Sequence, residues 1–484
     1  MINTTGEAAT ETKPLPKPKS GVRTALEYTG IPSSWLDKRP RLPSRNWLIF
    51  LTVTTSVASY YIYDRRECKR IRLSYVDRVK HLAEEPLASS AMPRKVTVYG
   101  SKWPGDEEYD RSIKYFRKYV KPILVAAAVD YELVNGRKLG DLADRIADEI
   151  KARRRVEAGI EEPPRSPVEL PNQPTPEERK QRVLEGGIVI VGRPTFKEFM
   201  TGLKRGWTES MAKIDREDAL AQELASDGRF DEPVDPADNI EVGSLDGEPI
   251  PTKSRLPPSA LFSPIRPPPP GLTTSQPPSS IPEHLDSPPT AIPALPSLLL
   301  VPFINHVGFK QIPIMIWGFF NERHKVRVGS EAGYRLVMNQ TRPFVSPDTN
   351  TSSLSEEEAS SSPVSSYTQG GDLDFSSNAE QYYNKFFTPE EIEKARKGYY
   401  DSLPAKLEVA RALARGTREP TKEETNNPPP TEVELRAERL KKELRWRGDL
   451  AGWDIVKPGQ LVPWDDRFTD TLRVFDDPSL SIDD

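Results

Sequence analysis

The chain has 484 residues with 68 Lys+Arg against 72 Asp+Glu, 49 prolines and a mean hydropathy of −0.60, so much of it cannot belong to a packed core. The single cysteine, Cys68, excludes an intramolecular disulfide framework and a cysteine-based zinc cluster, and His81, His284, His306 and His324 lack metal-ligand spacing. Residues 1–80 hold 15 Lys+Arg against 7 Asp+Glu, which leaves the remainder acidic at 53 against 65 and unlike a nucleic-acid binder.

Residues 1–46 read as an N-terminal tail. Glu7, Glu11, Pro14, Pro16 and Pro18, with no arginine in the first 20 residues, fit neither an arginine-rich transit peptide nor a secretory signal. Residues 47–63 then carry no charge, a length near the lower limit for a helix that crosses a bilayer core. Trp47 at one end and Tyr60, Tyr61 and Tyr63 at the other stand where amphipathic rings meet headgroups. Thr52, Thr54, Thr55, Ser56 and Ser59 dilute the run, and the competing reading is a buried core helix. Hydroxyls bonded back to helix carbonyls are tolerable in lipid, so a transmembrane helix is expected, with Trp47, Val53 and Tyr63 marking its start, middle and end. Residues 64–92 follow as a basic amphipathic helix and linker. Arg65, Arg66, Lys69, Arg70, Arg72, Arg78 and Lys80 accompany an apolar face of Ile71, Tyr75, Val76, Val79 and Leu82. That pattern fits a membrane-surface element, an internal targeting signal, or a solvated helix leaving the bilayer.

Residues 93–228 carry the pattern of an α/β domain. Residues 95–99 read as a strand and 101–106 as a loop; Ile113, Phe116 and Val120 mark a helix that Pro122 restarts. Residues 131–134 form a second strand closed by Asn135-Gly136. Leu139, Leu142, Ala143, Ile146, Ala147 and Ile150 then repeat at helical spacing up to Arg153-Arg154-Arg155. After a proline-rich connection, residues 187–191 are apolar on both faces, as in a central strand of a parallel sheet. Thr195 and Glu198 have capping-box spacing for a helix bearing Phe196, Phe199, Met200, Leu203 and Trp207. The alternation implies an α/β fold with a doubly wound, mostly parallel sheet.

Residues 229–296, with 18 prolines from 233 onward, read as a disordered insertion. Residues 297–344 resume the domain with a strand at 297–301 and a core helix holding Ile312, Ile314, Met315, Ile316, Trp317, Phe319 and Phe320, too short to span a bilayer. Residues 345–379, with 11 serines, read as a second disordered loop. Residues 380–484 form a C-terminal helical region. Its helices start with capping boxes at Thr388 with Glu391 and at Thr431 with Glu434. The second helix carries an apolar stripe of Val433, Ala437, Leu440 and Leu444, and Trp446, Trp453, Trp464 and Phe468 mark a docked tail.

A nucleotide would sit at the C-terminal ends of the strands. Gly100 and Gly105 flank the loop after the first strand, but Lys102-Trp103-Pro104 occupies it, and no Walker signature occurs. Arg193, opening the helix after the third strand, could hold an anion or face solvent or a partner. No nucleophile elbow, metal triad or acid/base pair stands out. The expected catalytic, cofactor-binding and metal residues are therefore none.

Several strings in order carry a family resemblance: Gly30-Ile31-Pro32, the 42–47 segment leading into the uncharged run, the 94–99 strand, and residues 119–131. Residues 186–194, 307–313 and 455–459 extend it. Together they resemble the family of the 54-kilodalton subunit of the mitochondrial inner-membrane carrier translocase, in a fungal version, over most of the chain outside the two insertions. The resemblance implies a non-enzymatic scaffold with one span and a large domain in the intermembrane space. It implies support for insertion of multispanning carriers, with channel-forming and accessory translocase subunits, small intermembrane-space chaperones and an inner-membrane AAA protease as partners. Within about 20 residues of the run, four Lys+Arg precede it and seven follow, a bias that would keep the large part in the matrix. A targeting role for the basic helix would remove that meaning. A membrane-tethered enzyme acting on a nucleotide or lipid, and a plain organelle tether, remain the alternatives.

Overall fold

The computed structural model describes residues 44–86, 93–162, 176–213, 215–231, 281–282, 286–346, 370–383, 389–421, 424–425 and 427–476. The expected N-terminal tail up to residue 43, Thr388 of the first capping box, and most of both insertions lie outside the described residues. The chain divides into two compact units, Met1–Tyr63 and Asp64–Asp484.

The described part of the first unit is the opening of a 35-residue helix, α1 (Arg45–Val79). Residues 47–63 are exposed, with only Tyr61 partly covered. The Thr52 and Thr54 hydroxyls donate to the carbonyls of Leu48 (2.7 Å) and Phe50 (2.8 Å), four residues back. Among the described residues, no helix is long and apolar enough by hydropathy to cross a membrane.

The second unit is built on a six-stranded sheet of order β2-β1-β3-β4-β6-β5. Its strands are β1 (Lys95–Gly100), β2 (Asp130–Asn135), β3 (Ile188–Val191), β4 (Leu298–Val301), β5 (Thr341–Pro343) and β6 (Arg473–Phe475). All neighbours are parallel except the β5–β6 pair at the edge. β3 is central because its period-2 alternation is apolar twice over. Val189 and Val191 face one layer, with Phe116, Ile123, Leu124 and Leu336, while Ile188 and Ile190 face the other, with Ile146, Phe199, Met200 and Leu203.

The first layer is α2 (Arg111–Tyr119), α3 (Lys121–Ala126) and a later helix, α9 (Arg323–Met338). The second pairs α4 (Asp141–Glu157) with α6 (Arg193–Thr208). Between them in sequence, α5 (Pro176–Gly186) precedes β3, a helix without a strong apolar repeat that sequence reading passes over. α7 (Arg216–Ala225) joins a hairpin of two long helices, α10 (Pro389–Ala414) and α11 (Glu432–Val456), around Phe230, Tyr399, Leu403, Leu407 and Leu435. The Thr431–Glu434 capping box is present. The tail docks as expected: Phe468 is fully buried and Trp464 stacks on Phe344 at 5.2 Å.

Five expectations are corrected. α6 starts at Arg193, not Thr195. Thr195 lies inside its first turn and donates to the Val191 carbonyl at 2.7 Å, so no capping box forms with Glu198. The basic helix at 64–79 turns its apolar face onto the body, with Val79 fully buried and Tyr75, Val76 and Leu82 packed on the core, which leaves that face unavailable to a membrane. Residues 370–379 are packed 3-10 turns, not loop. The buried face of α11 is Leu435, Arg439 and Glu443, while Val433 is exposed. The apolar segment of residues 312–320 is a helix, α8 (Ile312–Phe320), but none of its residues is buried.

Candidate functional site

With β1 connecting outward to β2 and β3 to β4, the order places a switch point between β1 and β3, where such sheets bind ligands beyond their strand ends. Here the chain fills that place itself. The Ser101 amide donates to the Thr195 hydroxyl at 3.0 Å, and the two hydroxyls lie 3.1 Å apart. Trp103, 2% exposed, is wedged against Phe303 (5.6 Å) and Tyr383 (5.1 Å). Arg193 neither faces solvent nor awaits a diffusible anion. Its Nε donates to Glu380 at 2.9 Å, and its Nη1 donates to the carbonyls of Leu373 and Phe375. Lys197, one turn on, lies 2.7 Å from the same carboxylate and donates to the Lys457 carbonyl at 2.9 Å. The Gly459 amide donates to Glu380 at 2.8 Å. Burial alone would raise the Glu380 carboxyl, but Lys197, the Gly459 amide and Arg193 together hold it below its ordinary value. One carboxylate thus fastens α6, the 370–383 turns and the C-terminal tail over the strand ends. Sequence reading could not anticipate this hub, because Glu380 opens the segment read as C-terminal helices and its partners Arg193 and Gly459 lie 187 and 79 residues away in the chain.

A second constellation forms where α1 enters the second unit. Asp64 is fully buried and caps α9, accepting from the amides of Glu322 (3.1 Å) and Arg323 (3.3 Å). Its carboxylate therefore serves the orphan donors and positive end of another helix. Glu322 accepts from Tyr119 Oη at 2.7 Å and pairs with Arg65 and Lys118. Arg65 also donates to the Phe319 carbonyl at 3.3 Å and lies 5.5 Å from the Phe319 ring. Cys68 is buried beside Asp64, and burial and that carboxylate both raise its thiol. This cluster fixes the C-terminal end of α8 to the residues that follow Tyr63. Of the three residues expected to mark the span, Trp47, Val53 and Tyr63 all lie on α1 and all are exposed.

The family model for the inner membrane protein import complex subunit Tim54 matches residues 24–374. The chain belongs to the Tim54 family. A relative from Cryptococcus neoformans var. neoformans, named mitochondrial import inner membrane translocase subunit TIM54, is 40% identical over 474 residues, 96% of each chain. The similarly named protein of Aspergillus oryzae is 32% identical over 69% of this chain and 74% of its own. That of Candida albicans is 30% identical over 69% of this chain and 87% of its own. The region matched by the Tim54 family model contains β1 to β5 and α8 but stops before Glu380, α10, α11 and β6. The Cryptococcus relative aligns over nearly the whole chain, so likeness to a Tim54 protein continues past the family model.

Proposed function

We propose that this chain is a non-catalytic scaffold subunit of the mitochondrial inner-membrane translocase, supporting insertion of multispanning carrier proteins. A helix over 47–63 anchors it, and the unit from Asp64 onward works in the intermembrane space beside channel-forming and accessory subunits. The observation that carries the scaffold reading is the switch point closed by Trp103, Thr195 and the Arg193–Lys197–Glu380 cluster, on a chain of an import-subunit family. A sheet whose ligand crevice is packed with its own side chains presents surfaces, not a reaction chamber. The anchor is supported by exposed apolar side chains along α1, by threonine hydroxyls already bonded to helix carbonyls, and by aromatic ends.

Depletion of the protein should reduce insertion of multispanning carriers while import of matrix proteins with cleavable presequences continues. Equal loss of both routes would point to a general membrane defect and overturn the reading. A thermal shift by ATP or NAD at millimolar concentration would reopen an enzymatic one, since ligand at 100 times its dissociation constant stabilises by about 2.7 kcal/mol.

A further inference from the structure

We propose that α8 is a second membrane contact, a short helix lying in the lipid headgroup boundary and seating the folded unit on the bilayer. The inference rests on the reading that residues 47–63 span that bilayer. A helix apolar all round belongs in a protein core or in lipid, and α8 is not in the core. Trp317 is 68% exposed, Ile316 and Phe319 are each 55% exposed, and Phe309 in the preceding 3-10 turn is 91% exposed. Nine residues at about 1.5 Å each are far too short to cross, so the remaining lipid position is along the surface.

Its depth follows from its attachment. At its C-terminal end, Arg65 holds the Phe319 carbonyl and ring, and Asp64 holds the amides of Glu322 and Arg323. These two residues follow directly on Tyr63, the end of the uncharged run. Chain connectivity alone therefore sets that end of α8 at the level where the run leaves the bilayer. Its other end is tied to the body, where Gln311 Nε2 donates to the Tyr382 carbonyl at 3.1 Å. The surrounding charge suits anionic headgroups: residues 302–321 contain no Asp or Glu, Lys310 is exposed ahead of the helix, and Arg66, Lys69 and Arg70 lie exposed on α1. The occupant of the apolar face is thus a lipid surface.

The test uses the full chain with Cys68→Ser, reconstituted in vesicles of phosphatidylcholine and cardiolipin, with an NBD fluorophore on single cysteines. The positions are Trp317→Cys, Val53→Cys and, as an aqueous reference, Gly398→Cys, whose site has nothing within 4 Å. The label at 317 should lose most of the iodide quenching seen at 398 and be quenched by a nitroxide high on the acyl chain. The label at 53 should respond to a nitroxide deep in the chain. Iodide quenching at 317 equal to that at 398, with 53 still deep, overturns the proposal and leaves the span standing. Iodide access at 53 retires the span reading and, with it, this proposal. Ile316→Cys repeats the measurement should the first variant fold poorly. A photocrosslinker at 317 that captures polypeptide in place of lipid in native membranes assigns the face to a protein partner and also overturns the proposal.

Discussion

Glu198 is a fully buried carboxyl and Glu380 a partly buried one, and their environments drive them in opposite directions. Glu380 has two cations and an amide, and sits below its ordinary value. Glu198 is fully buried on α6, accepting from the Leu142 amide at 3.2 Å at the start of α4, and burial pushes it up to about 8 against the pull of the Gly140 and Leu142 amides. Its Oε1 has no hydrogen-bond partner, so no donor stabilises an ionised carboxylate at that oxygen. The signs follow by linkage. Glu380 contributes stability above the unfolded carboxylate range, lost as pH falls through its folded value. Glu198 keeps a proton that the unfolded chain gives up, so its contribution is complete below the unfolded value and lost as pH rises through about 8. Between those limits the slope from this one group is about 1.4 kcal/mol per pH unit. Glu198→Gln should therefore flatten the fall in urea-unfolding stability between pH 6 and 8, about 2 pH units of titration. An unchanged slope in the variant would show that the carboxyl is ionised in the folded protein.

At the scale of elements, α11 is held by a backbone crossing. Gly452 meets the turn before α4 so closely that a Cβ there would stand 2.0 Å from the Leu139 carbonyl oxygen, a backbone atom that cannot swing aside. In an open helix position Gly→Ala gains roughly 0.5–1 kcal/mol, and Gly448 on the same helix, with nothing within 4 Å, is such a position. Gly448→Ala should raise stability in urea unfolding, whereas Gly452→Ala should lose about 1–3 kcal/mol through overpacking. Equal gains in the two variants would mean that α11 does not cross at that turn. The same helix shows where sequence reading stopped. α4 and α6 were legible because their core residues are apolar and repeat locally, and β3 and β4 because buried parallel strands are unbroken apolar runs. On α11 the buried face is Leu435, Arg439 and Glu443, and its polar partners are remote. Arg439 donates to Asp227 at 3.1 Å, while Glu443 takes Tyr400 Oη at 2.6 Å and Arg396 at 2.9 Å. A buried ionic face has no hydrophobic period to read. β5 and β6 have three residues each, and their pairing of Arg342 with Val474 brings together distant parts of the chain. α8 misled in the other direction, because apolar composition does not say whether protein or lipid will surround it.

For the whole molecule, the undecided quantity in the sequence was orientation, since seven cations follow the uncharged run and four precede it. The fold gives two of the seven a purpose unconnected with topology. Arg65 pairs with Glu322, and Arg78 lies over the ring of Tyr334. Cations required to fasten α1 to the body would be present whichever compartment the body entered, so their excess is weak evidence for retention in the matrix. With that objection reduced, the family reading decides the expectation. A tag at the C-terminus should survive protease added to intact mitochondria and disappear once the outer membrane alone is ruptured. Val53→Arg should cost insertion about 2.5–3.5 kcal/mol on the translocon scale and move protein from the pellet to the supernatant in alkaline carbonate. A tag still protected after outer-membrane rupture would put the body in the matrix and restore the charge count as the better guide. Val53→Arg protein that stays wholly in the pellet would mean that residues 47–63 are not what holds this chain in the membrane.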